Sequence, residues 1–410
     1  DRGARMKIAG RRPLALLLGV VLIAVACGDR GATSGSGPTG APGSSATAIA
    51  GGSAAGASAG PPSVSPSASA GPSSSAGPSP SAGPSPSAGP SASAGVRSPA
   101  PDEFLNPVYD AALADPFVLE DDGTYYAYGT KAFEANQFET ARSTDLGHWE
   151  RLPSALRGLP SWSPGKAWAP EVARTSAGYV MYYTASAPDV PNPHGDPSQC
   201  ITLAVGDSPA GPLVDRSEKP LVCQPELGGS IDATYFKDVD DTPYLIWKND
   251  GNCCDIPTRF YLQELSPDGL ELVGKVSELG IRNDRPWEGR VIEAPTLLER
   301  DGTYYLFYSG GDFASAGYAV GYATADRLRG PYEDSPDNPI LVSKAPAAGP
   351  GHQSIVADKD GDLWMVYHAW DAKRIGEQNG GQRKMWIDEL VFEDGKPLVK
   401  GPDQGPQALP

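Results

Sequence analysis

Five residues stand at the same place in five copies of one short pattern: Asp115, Trp168, Asp232, Glu293 and His352. Each opens an apolar run, a tight turn and an aromatic run. The copies read DPFVLEDDGTYYAYGT, WAPEVARTSAGYVMYYTAS, DATYFKDVDDTPYLIWKND, EAPTLLERDGTYYLFYSGG and HQSIVADKDGDLWMVYHAW. If the copies are equivalent units around one axis, three carboxylates, an imidazole and an indole meet at one end of it. A folding core has no use for three clustered acids, because unpaired buried charge is costly. A reaction does. Taken singly the same residues have plainer readings. Asp115 before Pro116 suits a turn or cap, Asp232 an edge, His352 a hydrogen-bonded core position, and Trp168 packing between units.

The elements that must position these residues are β-strands. The turn positions Gly123, Gly178, Thr242, Gly302 and Gly361 recur every ~55–65 residues, one supersecondary unit per repeat. Asp-Gly between two β-rich apolar runs is a hairpin signal. Further strand–turn–strand signatures follow at 139–152, 201–215 and 319–334, and no convincing amphipathic helix appears. The expected fold is all-β, a five-bladed β-propeller over residues 102–410. KMWIDELVFEDGKPLV supplies strands of the last blade, and residues 104–110 help to close the ring.

The first quarter of the chain is different. Residues 1–26 pair a basic start (Arg5, Lys7, Arg11, Arg12) with the apolar run Leu14 to Val25, as in a signal peptide. The run ends Ala24-Val25-Ala26-Cys27, which resembles a bacterial lipobox with Cys27 as the lipid anchor; an ordinary cleavage site with an incidental cysteine is the alternative. Residues 27–101 are Ser, Ala, Gly and Pro, a composition that cannot bury enough to order itself and reads as a disordered tether. The expectation is an extracellular domain held to the bacterial membrane through Cys27. The chain has 410 residues and a net charge of −17, which argues against nucleic acid and anionic membrane faces. Cys200, Cys223, Cys253 and Cys254 are read as disulfides. An adjacent pair bridging itself is awkward, so bridges from Cys200 and Cys223 to the pair stand beside a single Cys200–Cys223 bridge.

The order of Asp in ALADPFV, Asp in SIDATYF and Glu in VIEAPTL on five repeats resembles glycoside hydrolase family 43. WAPEV at 168–172, GPGHQSIV at 349–356 and QRKMWIDEL at 382–390 add to the likeness. Ala114-Asp115-Pro116-Phe117 differs from the Asn-Asp-Pro-Asn-Gly type of the related sucrose-splitting propellers. The resemblance implies an inverting hydrolase with Asp115 as general base and Glu293 as general acid, their carboxyls ~6.5–9.5 Å apart to admit a water. Asp232 would orient the sugar and keep Glu293 protonated. Arg383 would contact the sugar and an acid, a surface salt bridge being its alternative. Trp168 would wall the sugar subsite, and His352 would sit near an ion, often calcium, in the channel, with no other cofactor. The implied substrates are neutral arabinan, arabinoxylan or xylan chains acted on by a monomer. α-L-Arabinofuranosidase or arabinanase activity is expected ahead of β-xylosidase or galactan cleavage, since no C-terminal β-sandwich follows. A non-catalytic sugar-binding propeller is the reading from another class. Two long loops, Pro188–Cys200 and Asn249–Arg259, are expected to wall the cleft and set specificity.

Overall fold

The computed structural model describes residues 98–132 and 135–410. The leader, Cys27 and all but the last four residues of the tether lie outside them. After a short strand β1 (Glu103–Phe104) come five antiparallel sheets in chain order. The first is β2 (Ala114–Asp121), β3 (Thr124–Thr130), β4 (Phe138–Ser143) and β5 (Glu150–Leu152). The second is β6 (Ala167–Thr175), β7 (Gly178–Pro191) and β8 (Pro197–Gly206). The third is β9 (Ser230–Lys237), β10 (Pro243–Asn249), β11 (Phe260–Leu265) and β12 (Leu272–Glu278). The fourth is β13 (Ile292–Arg300), β14 (Thr303–Gly310), β15 (Ala319–Ala325) and β16 (Glu333–Asp334). The fifth is β17 (Ala347–Ala357), β18 (Leu363–Asp371), β19 (Lys384–Glu393) and β20 (Lys396–Val399). The first strands β2, β6, β9, β13 and β17 touch one another in a closed circuit, so the molecule is a five-bladed β-propeller with these strands around the axis.

The hairpin turns form for the reason their residues give. Asp122-Gly123 and Asp301-Gly302 both take left-handed backbone at each central position (φ 50° and 78°, 53° and 82°), which the tight two-residue turn requires. Each junction between blades is filled by its own apolar cluster. Tyr128 and Met181 meet between blades one and two, Leu245 and Val180 between two and three, and Ile246 and Leu306 between three and four. Tyr367 and Phe307 fill the fourth junction. Phe104, Val118, Val366 and Met385 fill the fifth, where the ring closes. Removing one such fully buried ring, as in Phe104→Ala, costs on the order of 3–5 kcal/mol.

Closure uses residues 104–110, as expected, and extends to Leu113, though no blade mixes strands from the two ends of the chain. β1 pairs with β21 (Gln407–Ala408), Val108 N–H donates to Met385 O, and Asn106 clasps both Ile387 and Asp403.

Two expectations are corrected. Cys200 is bonded to Cys223, as one of the two readings had it, but Cys253 is bonded to Cys254, so the adjacent pair does bridge itself and no bond joins the two pairs. The cause is register: Ile201 pairs with Val222, which leaves Cys200 beside Cys223. The Pro188–Cys200 segment is mainly strand, the tip of the β7–β8 hairpin. It meets the 249–259 turn through Asn192, whose side-chain amide donates to Cys253 Sγ.

Candidate active site

The same irregularity occurs in the first strand of every blade. The pairing slips by one residue between Ala114 and Phe117, Trp168 and Glu171, Ile231 and Thr234, Glu293 and Thr296, and Gly351 and Ser354. Each slip is a β-bulge, which re-aims side chains at the end of a strand. Its first residue has left-handed backbone: Asp115 (φ 51°), Ala169 (48°), Asp232 (56°), Ala294 (52°) and His352 (50°). Such backbone strains Ala and His, a cost that the surrounding structure must over-determine. The row read from the sequence therefore misplaces two of its members. Trp168 and Glu293 stand one position before the bulge residues Ala169 and Ala294.

The strain is held by a belt of side chains from the second strands. Opposite the five bulges stand Thr130, Thr184, Lys248, Ser309 and His368. Three of them accept the N–H of the next blade's bulge residue. Thr130 Oγ1 takes Ala169 (3.0 Å), Ser309 Oγ takes His352 (2.8 Å), and His368 Nδ1 takes Asp115 (3.1 Å). Between blades three and four the acceptor is instead Asp232 Oδ2, 3.1 Å from the Ala294 nitrogen.

Asp115 sits almost fully buried against a guanidinium. Arg383 Nη1 donates to its Oδ1 at 2.9 Å, and His352 Nδ1 lies 3.3 Å from the same oxygen. Arg383 is itself 6% exposed and lies over the rings of Phe313 and Trp370. Burial pushes the Asp115 carboxyl up, but Arg383, His352 and the Thr130 hydroxyl outweigh it and hold it well below the usual carboxylate range. His368 also approaches this oxygen, at 3.4 Å. Burial, helped by Arg383, pushes that imidazole well below its ordinary value. Its Nδ1 already accepts a backbone N–H, so it is neutral and adds no charge; Arg383 is the cation that matters. Asp115 is thus an ionised acceptor at neutral pH.

The second cluster centres on Lys248, which has no exposed surface. Its Nζ donates to Glu293 Oε2 (3.1 Å) and Asn252 Oδ1 (3.0 Å), and the Tyr318 hydroxyl donates to Glu293 Oε1 (2.7 Å). Burial pushes Asp232 up; His352 and Lys248 oppose this and the Glu293 charge adds to it. Asp250 is pushed up to about 7 by burial, against the pull of Lys248. Glu171 takes a hydrogen bond from the Thr234 hydroxyl, and burial pushes it up to about 8.

Asp115, Glu171, Asp232, Thr296, His352 and Gln353 line one cavity on the axis. Arg383 joins it through Asp115, and Glu293 through its neighbour Ala294. Trp168 is half-buried in the position that Glu293 occupies two blades on, and is not among the cavity's lining residues. Among the described residues no three of His, Cys, Asp and Glu converge as metal ligands. Sequence reasoning gave His368 no part, yet it caps Asp115. It also passed over Lys248, Tyr318 and Glu171, although Glu171 lay inside WAPEV.

The family model for glycosyl hydrolases family 43 matches residues 104–397. The chain belongs to that family. It is a glycoside hydrolase. A β-D-galactofuranosidase from Aspergillus niger is 28% identical over 311 residues, 72% of this chain and 84% of that one. An extracellular endo-α-(1→5)-L-arabinanase from Bacillus subtilis is 25% identical over 304 residues, 70% and 87% of the two chains. The crystal structure of a thermostable family-43 glycoside hydrolase superposes with a TM-score of 0.66 at 34% identity, covering 75% of this chain and 99% of that one.

Proposed function

We propose that this family-43 enzyme cleaves furanosidic bonds in plant cell-wall side chains, α-L-arabinofuranosides first, with inversion at the anomeric carbon. The observation that carries the mechanism is the pinning of Asp115 as a carboxylate by Arg383, on the cavity that Asp232 and His352 share. Asp115 takes a proton from water, whose oxygen bonds to the anomeric carbon. Glu293 gives its proton to the glycosidic oxygen as the old bond breaks. Asp232 orients the sugar, and its carboxyl also takes the Ala294 N–H, so Asp232 and Glu293 are tied through one peptide. The acid–base steps draw on no metal or cofactor; a calcium ion beside His352 in the channel would serve structure.

The furanose preference rests on relatives whose names carry arabinanase and galactofuranosidase. β-D-Galactofuranosides are the second reading, favoured by the 28% identity to the Aspergillus enzyme. The test is a panel of nitrophenyl α-L-arabinofuranoside, β-D-galactofuranoside and β-D-xylopyranoside with linear 1,5-arabinan. Fastest turnover of the arabinose substrates supports the proposal. Xyloside turnover alone, or binding without turnover, overturns it. The enzyme acts as an exported monomer anchored through Cys27. Cys27→Ala moves it from the membrane fraction to the medium; an unacylated, freely released wild type contradicts the anchor.

A further inference from the structure

Lys248 breaks the pattern of the belt. At the matching place in other blades Thr130, Ser309 and His368 accept the next blade's bulge N–H. A protonated amine cannot accept. Here that N–H passes to Asp232, and Lys248 turns its ammonium on Glu293 and Asn252 instead. A cation with no exposed surface is costly unless it is paired and hydrogen-bonded. We infer that Lys248 is a positioning residue for proton donation, a fixed cation that stabilises the carboxylate Glu293 becomes once its proton has left. The inference rests on Glu293 being the donor in the mechanism proposed above.

The lone pairs allow it. Each Glu293 oxygen has two acceptor directions. Tyr318 takes one on Oε1 and Lys248 one on Oε2, which leaves a direction for the transferable proton. That proton passes to the glycosidic oxygen as its bond to the anomeric carbon breaks, and the electron pair left on Glu293 faces the ammonium. The benefit is greatest when the leaving alkoxide needs full protonation and least when it leaves as a stable phenolate. The groups facing this pair are Asp232 from β9, Asp250 and Asn252 after β10, and Tyr318 before β15, with His352 from β17 acting on Asp232. Lys248 is the cation that offsets three carboxylates: burial works against its charge, and Glu293, Asp232 and Asp250 restore it.

The experiment compares the pH profile of kcat/KM in wild type and Lys248→Met, on an arabino-oligosaccharide and on a nitrophenyl arabinofuranoside. Removing an opposite charge at this range moves the alkaline limb up by about 1–3 pH units. Turnover of the oligosaccharide falls about tenfold or more, while the nitrophenyl substrate stays within about threefold. An unmoved limb with equal loss on both substrates means that Lys248 only packs, and overturns the inference. Should Lys248→Met fail to fold, Asn252→Ala removes one hold on the ammonium from an exposed position. Its limb then moves the same way by less, and an unmoved limb in that variant is likewise contrary. Glu293→Ala is run beside them. Selective recovery on the nitrophenyl substrate supports its role as donor. Without that recovery the donor assignment falls and this inference with it; with it, a fixed limb in Lys248→Met removes the role of Lys248 alone.

Discussion

Replacing Arg383 by Gln removes the charge that keeps Asp115 ionised. The guanidinium lies 2.9 Å from Asp115 Oδ1, and both groups are under 10% exposed, so solvent screens them little. An opposite charge at this range lowers a carboxyl pKa by about 1–3 units, each unit being about 1.4 kcal/mol between the two protonation states. In the wild type the low Asp115 value puts protonation of the proposed base below the usual carboxylate range. Without Arg383 the upward push of burial is opposed only by His352 and the Thr130 hydroxyl. The base then takes up its proton at a higher pH, and activity is lost from the acid side inward. The assay is kcat/KM from acid to neutral pH for wild type and Arg383→Gln on a nitrophenyl arabinofuranoside, with circular dichroism to confirm the fold. The acid limb should climb by about 1–3 pH units, and one unit below the new limb the rate should be about tenfold down. An acid limb that stays in place, with loss by one factor at every pH, refutes the argument and leaves Arg383 a contact for substrate only.

Asp115→Ala and Glu293→Ala should each lose orders of magnitude in turnover, and only Glu293→Ala should recover on substrates with good leaving groups; equal recovery by both contradicts the roles. Peptide mapping without reductant should join Cys200 to Cys223 and find Cys253 and Cys254 in one peptide two protons lighter; a link between the pairs contradicts the structure. Asp388 on β19 has no exposed surface and is pushed up to about 7, chiefly by burial. Its folded value lies above its unfolded one, so its stability is full below about pH 4 and is lost as pH rises toward 7. The melting temperature should fall across that window and Asp388→Asn should flatten the fall; identical slopes refute the assignment.

Much of the fold can be read from the repeat. The Asp-Gly turns demand left-handed backbone that those residues supply, and the apolar runs beside them become the strands that pack between blades. Asp115, Asp232 and His352 were legible as a row because they stand on the bulge itself. Glu293 and Trp168 entered the same row because the distance to the turn was not held constant: Gly123 lies eight positions after Asp115, Gly302 nine after Glu293 and Gly178 ten after Trp168. Identical bulges, which no local preference announces, reveal the offset. The belt was hidden for another reason. Thr130, Lys248, Ser309 and His368 sit among apolar residues on second strands, where a polar side chain looks like a tolerated core position. Their role appears only when the neighbouring blade brings up an N–H or a carboxylate. The disulfide pairing was likewise decided by the register between Ile201 and Val222, a non-local contact.

The central claim is that Asp115 activates water directly, on the side of the sugar opposite the bond that Glu293 helps to break. The measurement closest to it is proton NMR of the first sugar released, recorded before the anomers equilibrate. An arabinofuranose of inverted configuration is the predicted result. A retained anomer would make one of the carboxylates a nucleophile and contradict the assignment of Asp115 as base.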